Sequence, residues 1–276
     1  MSLTLGIFAK TFARPNLAQT LDAVANTGLR CVQFNFACCG LPTVPQSLDD
    51  SLLSSVRTEL QSRSIAVAAL SATFNLVHPD PAQRREGLQR LPVLARAAQA
   101  LHCPLLTLCT GTRDPIDMWR AHPDNSSPEA WADLRESIDH ALHFTADTGI
   151  ALGIEPELSN VVSSAKACHR LLREVGSPRL RVVYDGANLL QPQDLGRQSE
   201  IFAEALDLLG PSIALTHAKE LDAHGHPGSL GPGSGSLDWS AWFAGLRRIG
   251  YQGPVILHGL AESEVPPAIR FLSPFL

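Results

Sequence analysis

Charge of either sign is scarce, and what there is leans acidic. Only 18% of the 276 residues are charged, with 22 Lys and Arg against 27 Asp and Glu and a formal net charge of −5. Proteins that track phosphate backbones carry clustered positive charge, so nucleic acid is not expected as a partner. The chain has no apolar run approaching the ~18 residues of a membrane-spanning helix. Its start, MSLTLGIFAKTFARP, lacks the basic segment and long apolar stretch of a secretory leader. A cytoplasmic protein with no membrane attachment is the expectation. Paired cysteines are missing as well. Cysteines 31, 38, 39, 103, 109 and 168 have no Cys-x-x-Cys spacing, which excludes zinc ribbons and dithiol redox motifs. They are expected as reduced thiols, with the adjacent Cys38 and Cys39 acting as small buried fillers. No linker is evident either: the 20 Gly and 20 Pro are scattered, so one domain over residues 1–276 is expected.

What the sequence does have is alternation. With 45% hydrophobic residues it can fill a continuous core. Eight short apolar segments recur at the spacing of βα units: LTLGIFA, CVQFNF, IAVAAL, LLTLCTG, IALGIE, RLRVVYD, SIALTHA and GPVILHGL. Helical periodicity is expected over Leu17–Thr27, Asp49–Ser62, Arg84–Leu101, Pro128–Thr148, Ser164–Val175, Ser199–Leu209 and Trp239–Ile249. Asn16, Ser163 and Asp238 are positioned to cap helix starts, and Gly28, Gly149, Gly176, Gly210 and Gly250 to follow helix ends. No Gly-x-Gly-x-x-Gly turn follows the first strand. The pattern therefore predicts an α/β chain closed as a (β/α)8 TIM barrel, with an open doubly wound sheet as the alternative.

A barrel places chemistry at the C-terminal ends of its strands. There, strands five to eight end in Glu155, Asp185, His217 and His258. With a side-chain period of two, Glu155 shares a face with Ala151 and Gly153, and His217 with Ile213 and Leu215. Two carboxylates converging in an apolar cavity repel each other and lose solvation, and a divalent cation relieves both costs. Glu155, Asp185, His217 and His258 are thus the candidate metal ligands. Their mixed oxygen and nitrogen atoms suit Mn, Zn, Co, Fe or Mg.

Those strand ends, together with GIEPE at 153–157, YDGANL at 184–189, THAKE at 216–220, LGPGSGSLDW at 230–239 and GYQGPVILHGL at 250–260, make the chain similar to the xylose isomerase-like family of sugar isomerases and epimerases. The resemblance implies metal-binding residues at Glu155, Asp185 and His217, and a carboxylate where this chain has His258. It also implies a histidine where this chain has Asn188. Family chemistry moves a proton between carbons next to a carbonyl through an enediolate, with carboxylates on strands five and eight. Here Glu155 and His258 take those places as expected catalytic residues, since an imidazole can serve as a base. Glu262 is the next candidate if His258 lies elsewhere.

Lys219, two residues beyond His217, is expected either to stabilise charge on the substrate or to pair with Glu157 or Glu220. Substrate contacts are expected from Arg113 and Trp119 in a lid-like loop after strand four, from Asn75 and His78 after strand three, and from Glu157 and Asn188. The expected function is isomerisation or epimerisation of a small sugar, polyol or sugar acid, possible homo-oligomers included. A lyase acting on a keto-polyol and a non-catalytic sugar-binding barrel are the alternatives.

Overall fold

The computed structural model describes residues 3–276. In chain order its elements are β1 (Thr4–Phe8), α1 (Leu17–Asn26), β2 (Cys31–Phe34), α2 (Asp50–Ser62), β3 (Ala66–Ser71), α3 (Pro81–Ala100), β4 (Leu105–Cys109) and α4 (Pro128–Phe144), followed by β5 (Ala151–Glu155), α5 (Ala165–Val175), β6 (Leu180–Asp185), α6 (Gln198–Leu209), β7 (Ile213–Ala218), α7 (Trp239–Arg248), β8 (Pro254–Leu257) and α8 (Val265–Leu272). Every strand pairs in parallel with its chain neighbour, and β1 pairs with β8, so the sheet closes into an eight-stranded barrel. The open-sheet alternative is thereby excluded.

Strand alternation divides the apolar residues into two layers. Outward side chains such as Val32, Leu106, Ile154 and Val182 join the shell between strands and helices. Inward ones, Cys31, Ala69, Leu105, Val183, Leu215 and Ile256, form a separate plug inside the barrel. Sealing an aliphatic side chain there stabilises the fold by about 1.5–3 kcal/mol. Gly6 and Gly153 complete the plug because nothing larger fits: a Cβ on Gly6 would lie 2.6 Å from the Cys31 carbonyl oxygen, and one on Gly153 would lie 2.9 Å from Val183 Cγ2. Two residues further along each strand the same face must point into the barrel mouth. That step reaches Phe8, Gln33, Ser71, Thr107, Glu155, Asp185, His217 and His258.

Helix starts follow local chemistry. Asn16 Oδ1 accepts from Gln19 N at 3.0 Å and Asp238 Oδ1 from Ala241 N at 2.9 Å. The cap of α5 is Ser164, whose Oγ accepts from Ala167 N at 3.2 Å, one residue later than expected. Gly28, Gly149, Gly176 and Gly250 have positive φ beyond helix ends, whereas Gly210 has a right-handed φ of −43° and opens a short 3-10 turn. The segment Ala146–Thr148, expected to prolong α4, is a separate 3-10 turn. An eighth helix, α8, was not anticipated; Pro266 and Pro267 occupy its first turn, where no intrahelical N–H is required.

Candidate active site

The strand ends open on a cavity of about 730 Å3, whose walls include Phe8, Gln33, Glu155, His217, Lys219 and His258. A larger groove of about 800 Å3 runs outside the barrel between α1 and α8. Arg14 and Glu262 pair there, Arg14 Nη1 donating to Glu262 Oε2 at 2.8 Å, and among the described residues no His, Cys, Asp and Glu group converges in it. Glu262 therefore stands away from the mouth. We take the barrel mouth as the site on its chemistry, not on its size.

Within the mouth, Asp185, His217 and His258 present ligand-type atoms within 4.8 Å of one another. Glu155 joins them, with Oε1 3.2 Å from His217 Nδ1. The orientation of His217 is fixed by Gln33: Nε2 lies 2.8 Å from Gln33 Oε1, while the Gln33 amide nitrogen donates to Ser71 and Thr107 at 3.2 and 3.4 Å. Gln33 Oε1 thus faces Nε2, and Nδ1 is the nitrogen turned toward Glu155 and Asp185, the one that would ligate an ion. Asp185 Oδ1 accepts from Ala187 N at 3.1 Å. Its Oδ2 faces the Lys219 ammonium at 2.9 Å but off the axis of a hydrogen bond. His258 Nδ1 is buried with no partner. A buried nitrogen without a partner, beside converging carboxylates, fits a cation.

The rings of His217 and His258 are stacked, with centroids 4.4 Å apart and planes within 8° of parallel. Phe8 stacks on the other side of His258 at 5.2 Å. Glu155, Asp185 and His217 would be the residues to hold a cation, with the stacked His258 ring beside them.

Charge distribution follows from burial and neighbours. Burial pushes the Glu155 carboxyl up, but His217 and then Lys219 hold it well below the usual carboxylate range. Glu157 has the opposite balance: burial, then repulsion by Glu155, pushes it up to about 8. Burial works against the Lys219 ammonium, yet Asp185 and Glu155 keep it charged. For His258, burial and then the positive charge near His217 and Lys219 hold the imidazole well below its ordinary value, so the ring is neutral.

A model of the family described as "Xylose isomerase-like TIM barrel" matches residues 21–274. The chain belongs to this family. A ketose 3-epimerase of Arthrobacter globiformis is 24% identical over 230 residues, 81% of this chain and 72% of the relative. An L-ribulose 3-epimerase of Methylomonas sp. (strain DH-1) is 23% identical over 232 residues, 82% and 74% of the two chains. Among solved structures, a 3-keto-D-glucoside 4-epimerase from E. coli is similar in fold, with a TM-score of 0.77, 16% identity and 99% of each chain covered. These relatives are sugar epimerases, in keeping with the enzyme class implied by the strand-end motifs.

The structure brings Glu155, Asp185, His217, His258, Lys219 and Asn188 together, with Glu157 and the half-exposed Trp119 on the cavity wall. Asn188 bridges the others: Nδ2 donates to Glu155 Oε1 at 2.7 Å and Oδ1 accepts from Lys219 Nζ at 2.9 Å. Three expected substrate contacts are placed instead in loop braces. Asn75 donates to Thr112 O at 2.8 Å and accepts from Val77 N and Thr112 N. His78 Nε2 lies 3.3 Å from Pro115 O, and Arg113 pairs with Asp133 on α4 at 2.6 Å. Lys219 pairs with neither Glu157 nor Glu220. Glu220 points away and accepts from Leu221 N, Leu237 N, Gly233 N and Trp239 Nε1, fastening the glycine-rich loop after β7. Gln33 went unrecognised in the sequence, although a glutamine inside the apolar run CVQFNF was the available signal. Among the described residues no helix is long and apolar enough to cross a membrane.

Proposed function

We propose that this protein epimerises or isomerises a small keto-sugar by moving a proton at the carbon beside its carbonyl. The observation that carries the reading is the inward register of β5 to β8, which delivers Glu155, Asp185, His217 and His258 to one cavity in a chain of this family. Glu155, Asp185 and His217 would hold a divalent ion. When bound, such an ion polarises a carbonyl and acidifies the adjacent C–H.

The chain's own groups divide the remaining work. Glu155, held as a carboxylate, takes the proton from the substrate carbon and, once protonated, is the acid that returns one. Neutral His258 serves as a base toward a neighbouring substrate hydroxyl, its ring kept in place by the stack with Phe8 and His217. Lys219 supplies positive charge close to the developing oxyanion. Glu157, with its carboxyl pushed up to about 8, donates a hydrogen bond to a sugar oxygen at neutral pH. Ser71, Thr73, Thr107, Asn35 and Thr43 offer neutral donors and acceptors suited to hydroxyl groups. Trp119 and Met118 border the opening on the lid side.

Incubation with a panel of ketoses in D2O tests the reading. A ketose that gains solvent deuterium beside its carbonyl, with an epimer or isomer formed, is expected, and Glu155→Gln or Asp185→Asn should lose both tightly bound ion and exchange. Failure to exchange with every ketose while ion is bound would sink the catalytic assignment, and full ion retention by both variants would sink the ligand set.

A further inference from the structure

Lys219 lies just past β7 and, two residues beyond His217, turns to the same inner side. Its stem passes Gly259, where even a Cβ would lie 3.3 Å from Lys219 Cγ. The ammonium ends among oxygens: Asp185 Oδ2 at 2.9 Å, Asn188 Oδ1 at 2.9 Å and Glu155 Oε1 at 4.0 Å. Asn188 holds it there, because the same amide donates to Glu155 through Nδ2 and so is fixed at both ends. Two of the three oxygens belong to residues that would hold the ion under the reading above, on which this inference rests. A divalent ion binds a carboxylate oxygen at roughly 2.0–2.2 Å. An ammonium on that same oxygen then lies within a few ångströms of it, in a mouth where little water screens the repulsion.

We propose that Lys219 is a tethered cation that competes with the divalent ion for Asp185 and Glu155, weakening metal affinity and yielding toward the sugar oxygens when the ion binds. The ammonium prevents two buried carboxylates from facing each other uncompensated, which would otherwise be costly. It is a positioning residue for the ion as well as a donor toward substrate. Removing its charge leaves the carboxylates with more to gain from the metal, so affinity rises even though a buried ion pair is lost.

The test uses full-length protein freed of metal by a chelator, with Co2+ alone as the probe and equilibrium dialysis as the readout. Lys219→Gln removes the charge and Lys219→Arg keeps it. With the repulsion of a nearby ammonium removed, the neutral variant should bind Co2+ about tenfold more tightly or better, and the arginine variant should stay within about threefold of wild type. Metal-free Lys219→Gln should also melt below metal-free wild type and gain more in Tm from Co2+. Lys219→Met serves as the neutral variant if Lys219→Gln does not fold. Wild-type affinity or weaker in the neutral variant, with Co2+ still bound by all, overturns the competition and leaves the metal reading standing. No Co2+ binding by wild type or by any variant removes the metal reading itself, and the competition with it.

Discussion

Glu220 gives the sharpest stability prediction, because its carboxylate is fully buried and surrounded by donors. Oε1 accepts from Leu221 N at 2.9 Å and Leu237 N at 2.8 Å; Oε2 accepts from Gly233 N and Trp239 Nε1, each at 2.8 Å. In Glu220→Gln the side chain keeps its shape but has one oxygen where there were two. Whichever way the amide turns, its NH2 faces two N–H donors. Hydrogen bonds to a charged group contribute about 1.5–3 kcal/mol each, so loss of two costs roughly 3–6 kcal/mol. At about 2 °C per kcal/mol for a domain of this size, Tm should fall by roughly 6–12 °C. Calorimetry on wild type and variant in the same buffer measures it, and amide hydrogen exchange at Gly233 and Leu237 locates it. A shift under about 2 °C with unchanged protection at both amides would refute the reasoning, since the loop would then be held by something else. Gly235 reinforces the argument: a Cβ there would lie 1.9 Å from Leu221 O and 2.6 Å from Glu220 Cγ, so the loop approaches the carboxylate only with a bare backbone.

The elements that were legible in the sequence are those whose signal is periodic. Strand segments stood out as apolar runs, and a period of two correctly set Gly153 with Glu155 and Leu215 with His217, because a strand in a closed barrel has one inner and one outer face. Where periodicity ends, so does legibility. Asn75, His78 and Arg113 lie in loops at the active end, yet their side chains are used by the loops' own backbone groups and by Asp133, a demand that no spacing rule reveals. Lys219 and Glu220 are adjacent and so face opposite ways, which is why no ion pair forms between them. The helix α8 was hidden by Pro266 and Pro267, which look like breakers in a sequence but are well suited to a first turn.

Two further outcomes follow from burial and from the stacked rings. Burial pushes the Cys38 and Cys39 thiols up to about 11. Both are half-buried, not the fully buried fillers expected from the sequence. Only about one in a thousand is then thiolate at pH 8, so native protein should react with iodoacetamide far more slowly than free cysteine and catch up on unfolding; fast native modification would contradict the raised values. For His258, the parallel stack with His217 separates two roles that the position alone leaves joined. A ring held between Phe8 and His217, with planes 8° from those of His217, would serve the proposed proton transfer without being one of the residues that hold the ion. Replacement by alanine should therefore leave metal affinity within about tenfold of wild type while turnover drops by roughly 10^2–10^4, the usual contribution of a general acid or base. Loss of the ion together with turnover would mean that the ring leaves the stack to ligate, and unchanged turnover would remove His258 from the chemistry altogether.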